Sequence, residues 1–129
     1  MQELTHYIDG THIKGTSGRF ANVMNPATGE IQGKVPLASK DELYNAVSVA
    51  AKAQPAWGAV NPQRRARVMM KFVDLLNRDM QKLAETLSRE HGKTIPDAAG
   101  DVQRGLEVVE YCIGAPHLLK GEYTDSAGP

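Results

Sequence analysis

The chain has 129 residues, of which 41% are hydrophobic and 23% charged, and its 15 Lys and Arg residues are balanced by 15 Asp and Glu. This composition is typical of one globular domain and excludes a disordered chain, while the zero formal charge argues against binding to nucleic acid or to an anionic membrane. No apolar run approaches the roughly 18–20 residues that cross a bilayer, and the first residues, MQELTHYIDG, lack the pattern of a signal peptide.

The first forty residues favour strands and turns. Asp9 and Gly10, between two short apolar segments, are a strong signal for a two-residue hairpin turn. A second extended segment is predicted at Phe20–Met24 and a third at 31–35, and the sequence NPATG at 25–29 predicts a turn between them.

Three sequence signals predict where helices begin in the rest of the chain. Ser39 with Glu42 three residues later is typical of a capping box. Asn61 before Pro62 places a capping residue ahead of a proline in the first helical position. Pro96 opens the last helix, which is predicted to end at about 114–116.

The predicted helix ends depend on proline, asparagine and glycine. The first helix is expected to stop before Pro55, because proline has no N–H to donate. Asn77 is expected to cap a new helix, which ends near Gly92. An α/β fold is therefore predicted, with a strand and hairpin region at 1–38, a helical region at 39–116 and a flexible tail at 117–129.

Isolated reactive side chains give weak signals in this sequence. Cys112 lies on the apolar side of the last helix, near its C-terminus, where the helix dipole does not favour a thiolate, so we expect a buried packing residue rather than a nucleophile. No metal site is predicted, because one cysteine cannot complete a zinc finger and the four histidines are scattered: His6, His12, His91 and His117. A single cysteine also fits a reducing compartment, so a cytoplasmic location is expected.

Two basic features have simple structural explanations. The run Arg64, Arg65 and Arg67 is interpreted as a solvated helix face or as a source of salt bridges between subunits, because the chain has no net positive charge. The segment EHGKTIP lacks the pattern of a phosphate-binding loop, so Lys93 is interpreted as a cation at a helix end.

Arg104 has two interpretations. At about 100° per residue it lies at the border between the apolar side of its helix and the solvated side. It could pair with Asp101 or Glu107, three residues away on either side. It could instead present its guanidinium fork to the planar carboxylate of a ligand, for which arginine is better suited than lysine.

Five segments, in their order and spacing, resemble the N-terminal part of the aldehyde dehydrogenase superfamily: NPATGE, AAKAQPAW, PQRRARVMMKFVDLL, LSREHGKTIPDAAGDVQRG and EVVEYCIGAP. The resemblance covers residues from about 7 to 121. The stretch GDVQRGLEVVE is most similar to the CoA-acylating methylmalonate-semialdehyde dehydrogenase branch. In this setting the resemblance implies that Arg104 binds the carboxylate of the substrate.

The resemblance also implies a fold and a reaction. The fold would contain a catalytic domain, a small domain that forms homo-oligomers (dimers or tetramers) and a Rossmann-like NAD-binding domain, to which residues 39–116 would contribute helices. In the reaction, a cysteine thiolate attacks a small-molecule aldehyde and hydride passes to NAD. The resulting thioester passes to coenzyme A, and the substrate carboxylate leaves as CO2.

Members of the superfamily are several times longer than 129 residues. Their nucleophilic cysteine, acid–base glutamate, oxyanion-hole asparagine and nucleotide-binding loop lie beyond position 129. The resemblance therefore implies that the chain is a truncated product or a part of a longer protein, inactive by itself and with neither catalytic nor cofactor-binding residues. The alternatives are part of a hydrolytic aldehyde dehydrogenase, which releases a free acid, and a non-catalytic helical interaction module.

Overall fold

The computed structural model describes residues 2–123 and 125. The strands are β1 (Gln2–Glu3), β2 (His6–Ile8), β3 (Thr11–Ile13), β4 (Phe20–Met24) and β5 (Ile31–Pro36). The helices are α1 (Lys40–Gly58), α2 (Pro62–His91), α3 (Ile95–Ile113) and α4 (Ala115–Leu118). The predicted order of strands followed by helices is therefore confirmed.

The predicted hairpin is formed by β2 and β3. These strands pair antiparallel, from His6 opposite Ile13 to Ile8 opposite Thr11. Asp9 and Gly10 have φ values of 54° and 71°, and a two-residue turn that matches the twist of its strands needs both residues in this left-handed region. The short turn therefore sets the register of the hairpin.

A second sheet has the strand order β1-β5-β4. β4 and β5 pair antiparallel, as expected for two strands joined by a short turn, and Gly29 closes that turn by donating its N–H to the Asn25 carbonyl at 2.8 Å. β1 pairs parallel to β5. The sequence did not indicate β1, because a strand of two residues has no measurable periodicity.

The capping box at the start of α1 is confirmed. Ser39 Oγ accepts from the Glu42 N–H at 3.2 Å, and Glu42 Oε2 accepts from the Ser39 N–H at 2.7 Å. The other carboxylate oxygen, Oε1, accepts from the Thr16 N–H at 2.7 Å. The backbone hydrogen bonds from Ser39 and then Thr16 lower the Glu42 pKa from 4.5 to about 2. One carboxylate thus caps the helix and holds the loop at Thr16.

This arrangement predicts a specific dependence of stability on pH. Because the Glu42 pKa is lower in the folded state, the carboxylate stabilises the fold above pH 4.5, and this contribution is lost as the pH falls towards 2. In the whole protein, Glu42→Gln should therefore lower the denaturant midpoint at neutral pH, and the difference from wild type should shrink below pH 4.5.

Denaturant midpoints measured across this pH range check the prediction. Glu110→Gln is a matched control, because Glu110 is exposed on α3. The control should leave the pH profile of the midpoint unchanged. A Glu42→Gln difference that stays constant with pH would contradict the assignment of this acid dependence to Glu42.

Two predicted helix breaks were wrong. α1 runs through Pro55 to Gly58, and the Pro55 carbonyl accepts from the Ala59 N–H at 3.0 Å. Pro55 removes one backbone hydrogen bond, but only the last turn of α1 follows it, so the helix continues to its end. α2 continues past Asn77, whose side-chain Nδ2 donates to the Val73 carbonyl at 3.1 Å within the same helix, so this amide does not cap a new helix.

Both ends of α2 follow local capping rules. Asn61 Oδ1 accepts from the Gln63 N–H at 2.9 Å, which confirms the predicted cap. At the other end, Gly92 has a φ of 87° and donates its N–H to the Ser88 carbonyl at 2.8 Å. Glycine after a helix end adopts this left-handed conformation without a steric cost. The EHGK segment is therefore a helix end, as expected.

The residue contacts divide the chain into two units. One contains Met1–Ala59 and Thr86–Thr94, and the other contains Val60–Glu85 and Ile95–Pro129. The buried residues of the second unit are Ala66, Ala84, Ala98 and Leu106, and those of the first unit are Gly33 and Pro36 of β5. The assignment of regions at 1–38, 39–116 and 117–129 stays a prediction, and residues 124 and 126–129 of the tail lie outside the described residues.

Many large apolar side chains are exposed in both units. Val108 and Tyr111 on α3 are 63% and 70% exposed, and Leu43 and Val47 on α1 are 57% and 58% exposed. Among residues 2–123, no helix combines the length and apolar character that a bilayer crossing requires.

Candidate functional site

Helix α3 positions the candidate substrate-binding residue. Its buried side contains Ala98 and Leu106, two helical turns apart. Arg104 lies about 160° from Leu106 around the helix, so its side chain projects away from the core. The side chain of Arg104 is 71% exposed. The same packing that anchors α3 therefore leaves the guanidinium accessible.

Arg104 makes one of the two local pairs considered from the sequence. Its Nη2 donates to Oδ1 of Asp101, one turn earlier on α3. Glu107, the other candidate, instead accepts from Gln103 Nε2 at 3.2 Å. A pair of charges at this spacing stabilises an isolated helix by only about 0.2–0.5 kcal/mol. The Arg104 side chain is the exposed partner, whereas the Asp101 side chain is 30% exposed, so Arg104 is the partner that can turn to a ligand carboxylate.

The two glycines beside Arg104 leave space around it. A Cβ atom on Gly105 would meet no heavy atom within 4 Å, and one on Gly100 would meet only Nη1 of Arg104, at 3.9 Å. Neither glycine is required by a close contact among the described residues. Together with Arg104, they form an open surface on α3, on which the guanidinium can bind a planar carboxylate once it releases Asp101.

The expected burial of Cys112 was wrong, because its side chain is exposed. Cys112 lies about 100° from Ile113, and about 120° from Leu106, around α3. It is therefore outside the narrow buried side of the helix, although apolar residues precede it. The described residues contain no group of three or more His, Cys, Asp or Glu side chains that could hold a metal ion.

The basic run at the start of α2 is only partly a solvated face. Arg64 and Arg67 are exposed, as expected. Arg65 is partly buried, and its Nε atom is buried without a hydrogen-bond partner in the described part of the chain. The sequence interpretation missed this difference, although Arg65 lies four residues before Met69 and hence on the apolar stripe of α2.

The family follows from sequence comparison. A model of the aldehyde dehydrogenase family matches residues 12–128, which is most of the chain. The chain belongs to the aldehyde dehydrogenase family, and the resemblance inferred from its motifs is confirmed. Members of this family are oxidoreductases.

Named relatives are semialdehyde dehydrogenases. The chain is 45% identical over 129 residues to malonate-semialdehyde dehydrogenase of Pseudomonas aeruginosa, and it covers 26% of that protein. It is 45% identical over 116 residues, 90% of its length, to the acylating mitochondrial methylmalonate-semialdehyde dehydrogenase of Arabidopsis thaliana, and it covers 19% of that protein. The chain thus spans about a quarter or less of the length of these relatives.

Solved structures share the fold over the whole chain. A protein of Sinorhizobium meliloti 1021, provisionally named methylmalonate-semialdehyde dehydrogenase and crystallised with NAD, is 64% identical with a TM-score of 0.92. Methylmalonate-semialdehyde dehydrogenase of Oceanimonas doudoroffii is 43% identical, also with a TM-score of 0.92. Each of these matches covers 100% of the present chain and 26% of the solved chain.

Proposed function

We propose that this chain is the N-terminal part of an NAD-dependent, CoA-acylating dehydrogenase of malonate or methylmalonate semialdehyde. The overall reaction converts the semialdehyde, NAD and coenzyme A into acyl-CoA, CO2 and NADH. The names of the relatives support this substrate class, and the name of the Arabidopsis thaliana relative supports acylation. We also propose that the whole enzyme forms a homo-oligomer and is located in the cytoplasm. The location is proposed because the chain contains a single cysteine.

The observation that carries the proposal is the exposed guanidinium of Arg104. A malonate-type semialdehyde differs from a simple aldehyde by a carboxylate close to the reacting carbonyl. Arg104 can donate two parallel hydrogen bonds to that carboxylate after releasing Asp101. In this role it holds the substrate by the group that is later lost as CO2, and it selects carboxylated aldehydes over neutral ones.

The described residues do not have the arrangement that binds the dinucleotide NAD. A dinucleotide fold presents glycines between a strand and the N-terminus of the following helix, where the backbone approaches the phosphates. Within residues 2–123, the direct connection from a strand to a helix runs from β5 to α1 through Leu37, Ala38 and Ser39, which contain no glycine. NAD is therefore proposed to bind to another part of the polypeptide, and we assign no step in its chemistry to these residues.

Product analysis of the whole protein tests the reaction. Malonate semialdehyde with NAD and coenzyme A should give NADH and acetyl-CoA in equal amounts, measured by absorbance and by mass spectrometry. NADH with free malonate and no thioester would identify the hydrolytic alternative. If no NADH forms with this or any simple aldehyde, the non-catalytic interaction module would replace the proposed enzyme.

A further inference from the structure

The first turns of α2 carry three arginines and no acidic residue. Residues 60–73 contain no Asp or Glu, and among the described residues Arg64, Arg65 and Arg67 form no ion pair. Three of the other four arginines have an acidic partner within three residues, namely Arg78 with Asp79, Arg89 with Glu90 and Arg104 with Asp101, and the fourth, Arg19, donates to the Ala38 carbonyl. The start of α2 is therefore locally positive in a chain with no net charge.

Arg65 differs from its two neighbours in its surroundings. Arg64 and Arg67 are exposed, and water can solvate their charges. Arg65 lies on the same side of α2 as Met69 and Leu76, which are partly buried. Its Nε is shielded from solvent and has no acceptor within the described part of the chain. A shielded, charged N–H group without an acceptor is unfavourable, so native structures pair such groups.

We propose that Arg65 forms a buried ion pair with a carboxylate from the part of the polypeptide outside these 129 residues. The proposal depends on the proposed function only in taking the chain as a part of a longer polypeptide. The two solved relatives support it, because in each of them this fold is 26% of a longer chain. A folded chain of that length supplies segments that can pack permanently against α2.

The enclosure of Nε favours a partner in the same polypeptide. Nε is enclosed by the described residues, so a partner outside them reaches the guanidinium through its terminal nitrogens. A segment folded onto α2 can hold a side chain there permanently. A carboxylate is the expected acceptor, because it accepts from both terminal nitrogens together and neutralises the charge.

The sign of one substitution distinguishes a paired arginine from an unpaired one. If Arg65 is paired, Arg65→Met leaves a buried carboxylate without its cation, and the whole protein becomes less stable. If Arg65 is unpaired, the methionine removes an uncompensated charge and keeps much of the apolar stem, so stability stays the same or rises. Arg65→Lys keeps the charge but loses the planar guanidinium fork, and Arg65→Glu reverses the charge.

Thermal unfolding of the whole protein provides the test. We expect Arg65→Met to lower Tm by more than about 2 °C, Arg65→Lys to lower it less and Arg65→Glu to lower it most. Arg64→Met, an exposed neighbour, should change Tm by less than about 1 °C. A Tm for Arg65→Met equal to or above that of wild type would overturn the proposal.

Two further measurements on the same variants identify the source of the anion. If inorganic phosphate raises the Tm of wild type saturably but not that of Arg65→Met, the ligand is a free anion and the proposal is wrong. If Arg65→Met dissociates the oligomer, as seen by its native mass, the carboxylate comes from a second copy and the proposal is also wrong. Neither measurement depends on dehydrogenase activity. A failure of the ion-pair proposal can therefore be distinguished from a failure of the proposed reaction.

Discussion

Replacing Arg104 with leucine in the whole enzyme is expected to raise KM for malonate semialdehyde about 10- to 150-fold, with KM for propanal changed less than about twofold. The carboxylate loses a charge-assisted hydrogen bond that stabilises the complex by about 1.5–3 kcal/mol, and each 1.36 kcal/mol corresponds to about a factor of ten. Propanal has no carboxylate, so it loses no such contact. Steady-state NADH formation with both aldehydes measures the difference.

Two variants control for indirect effects of the Arg104 substitution. Arg78→Leu removes another exposed arginine paired with a nearby carboxylate, Asp79, and should leave both KM values unchanged. Arg104→Lys keeps the charge without the planar fork and should give an intermediate KM for the semialdehyde. Equal increases in KM for the two aldehydes in Arg104→Leu would show that this residue does not recognise the carboxylate.

Gly92→Ala is expected to lower the free energy of unfolding of the whole protein by about 2–5 kcal/mol, for two separate reasons. Gly92 has a φ of 87°, a region that costs a residue with a Cβ atom about 1–2 kcal/mol. The new Cβ would also lie 3.0 Å from Cγ and 3.1 Å from Cβ of Pro26, and overpacking of this kind costs about 1–3 kcal/mol. Denaturant unfolding measures the loss.

Gly29 provides a matched control for the contact with Pro26. Its φ is 74°, and a Cβ atom there would meet nothing within 4 Å. Gly29→Ala should therefore lower the free energy of unfolding by only the backbone cost of about 1–2 kcal/mol. Equal losses for the two variants would mean that the contact between Gly92 and Pro26 does not affect stability.

Local features of the fold could be predicted from the sequence because a few adjacent residues determine them. The hairpin turn needs left-handed backbone at two positions, which Asp9 and Gly10 provide. The capping box needs a hydroxyl and a carboxylate three residues apart, as in Ser39 and Glu42. Such features do not depend on where the rest of the chain lies.

Other features depend on distant residues or on the helix as a whole. Asn77 resembles a capping residue in sequence, but the turns on either side of it propagate the helix and its amide bonds back to Val73. Arginine is usually exposed to water, so residue type alone does not predict the partial burial of Arg65. Its position on the apolar stripe of α2 accounts for that burial. Cys112 is exposed because the buried side of α3 is narrow. The width of that side cannot be predicted from composition.

The local geometry of the candidate site could largely be predicted from the spacing of its residues. Arg104 and Asp101 are three residues apart, and the helix brings them together as that spacing requires. The open space at Gly105 could not be predicted, because it depends on which distant residues lie within 4 Å of that position, and among the described residues none does. The role of Arg104 in substrate binding is a proposal built on this geometry and on the family.

A crystal structure of the whole protein with malonate, an unreactive analogue of the semialdehyde, tests the role of Arg104 most directly. We expect the guanidinium of Arg104 to leave Asp101 and to donate two hydrogen bonds to one malonate carboxylate, at about 2.7–2.9 Å. A structure in which malonate fills the substrate site while Arg104 remains paired with Asp101 would contradict it.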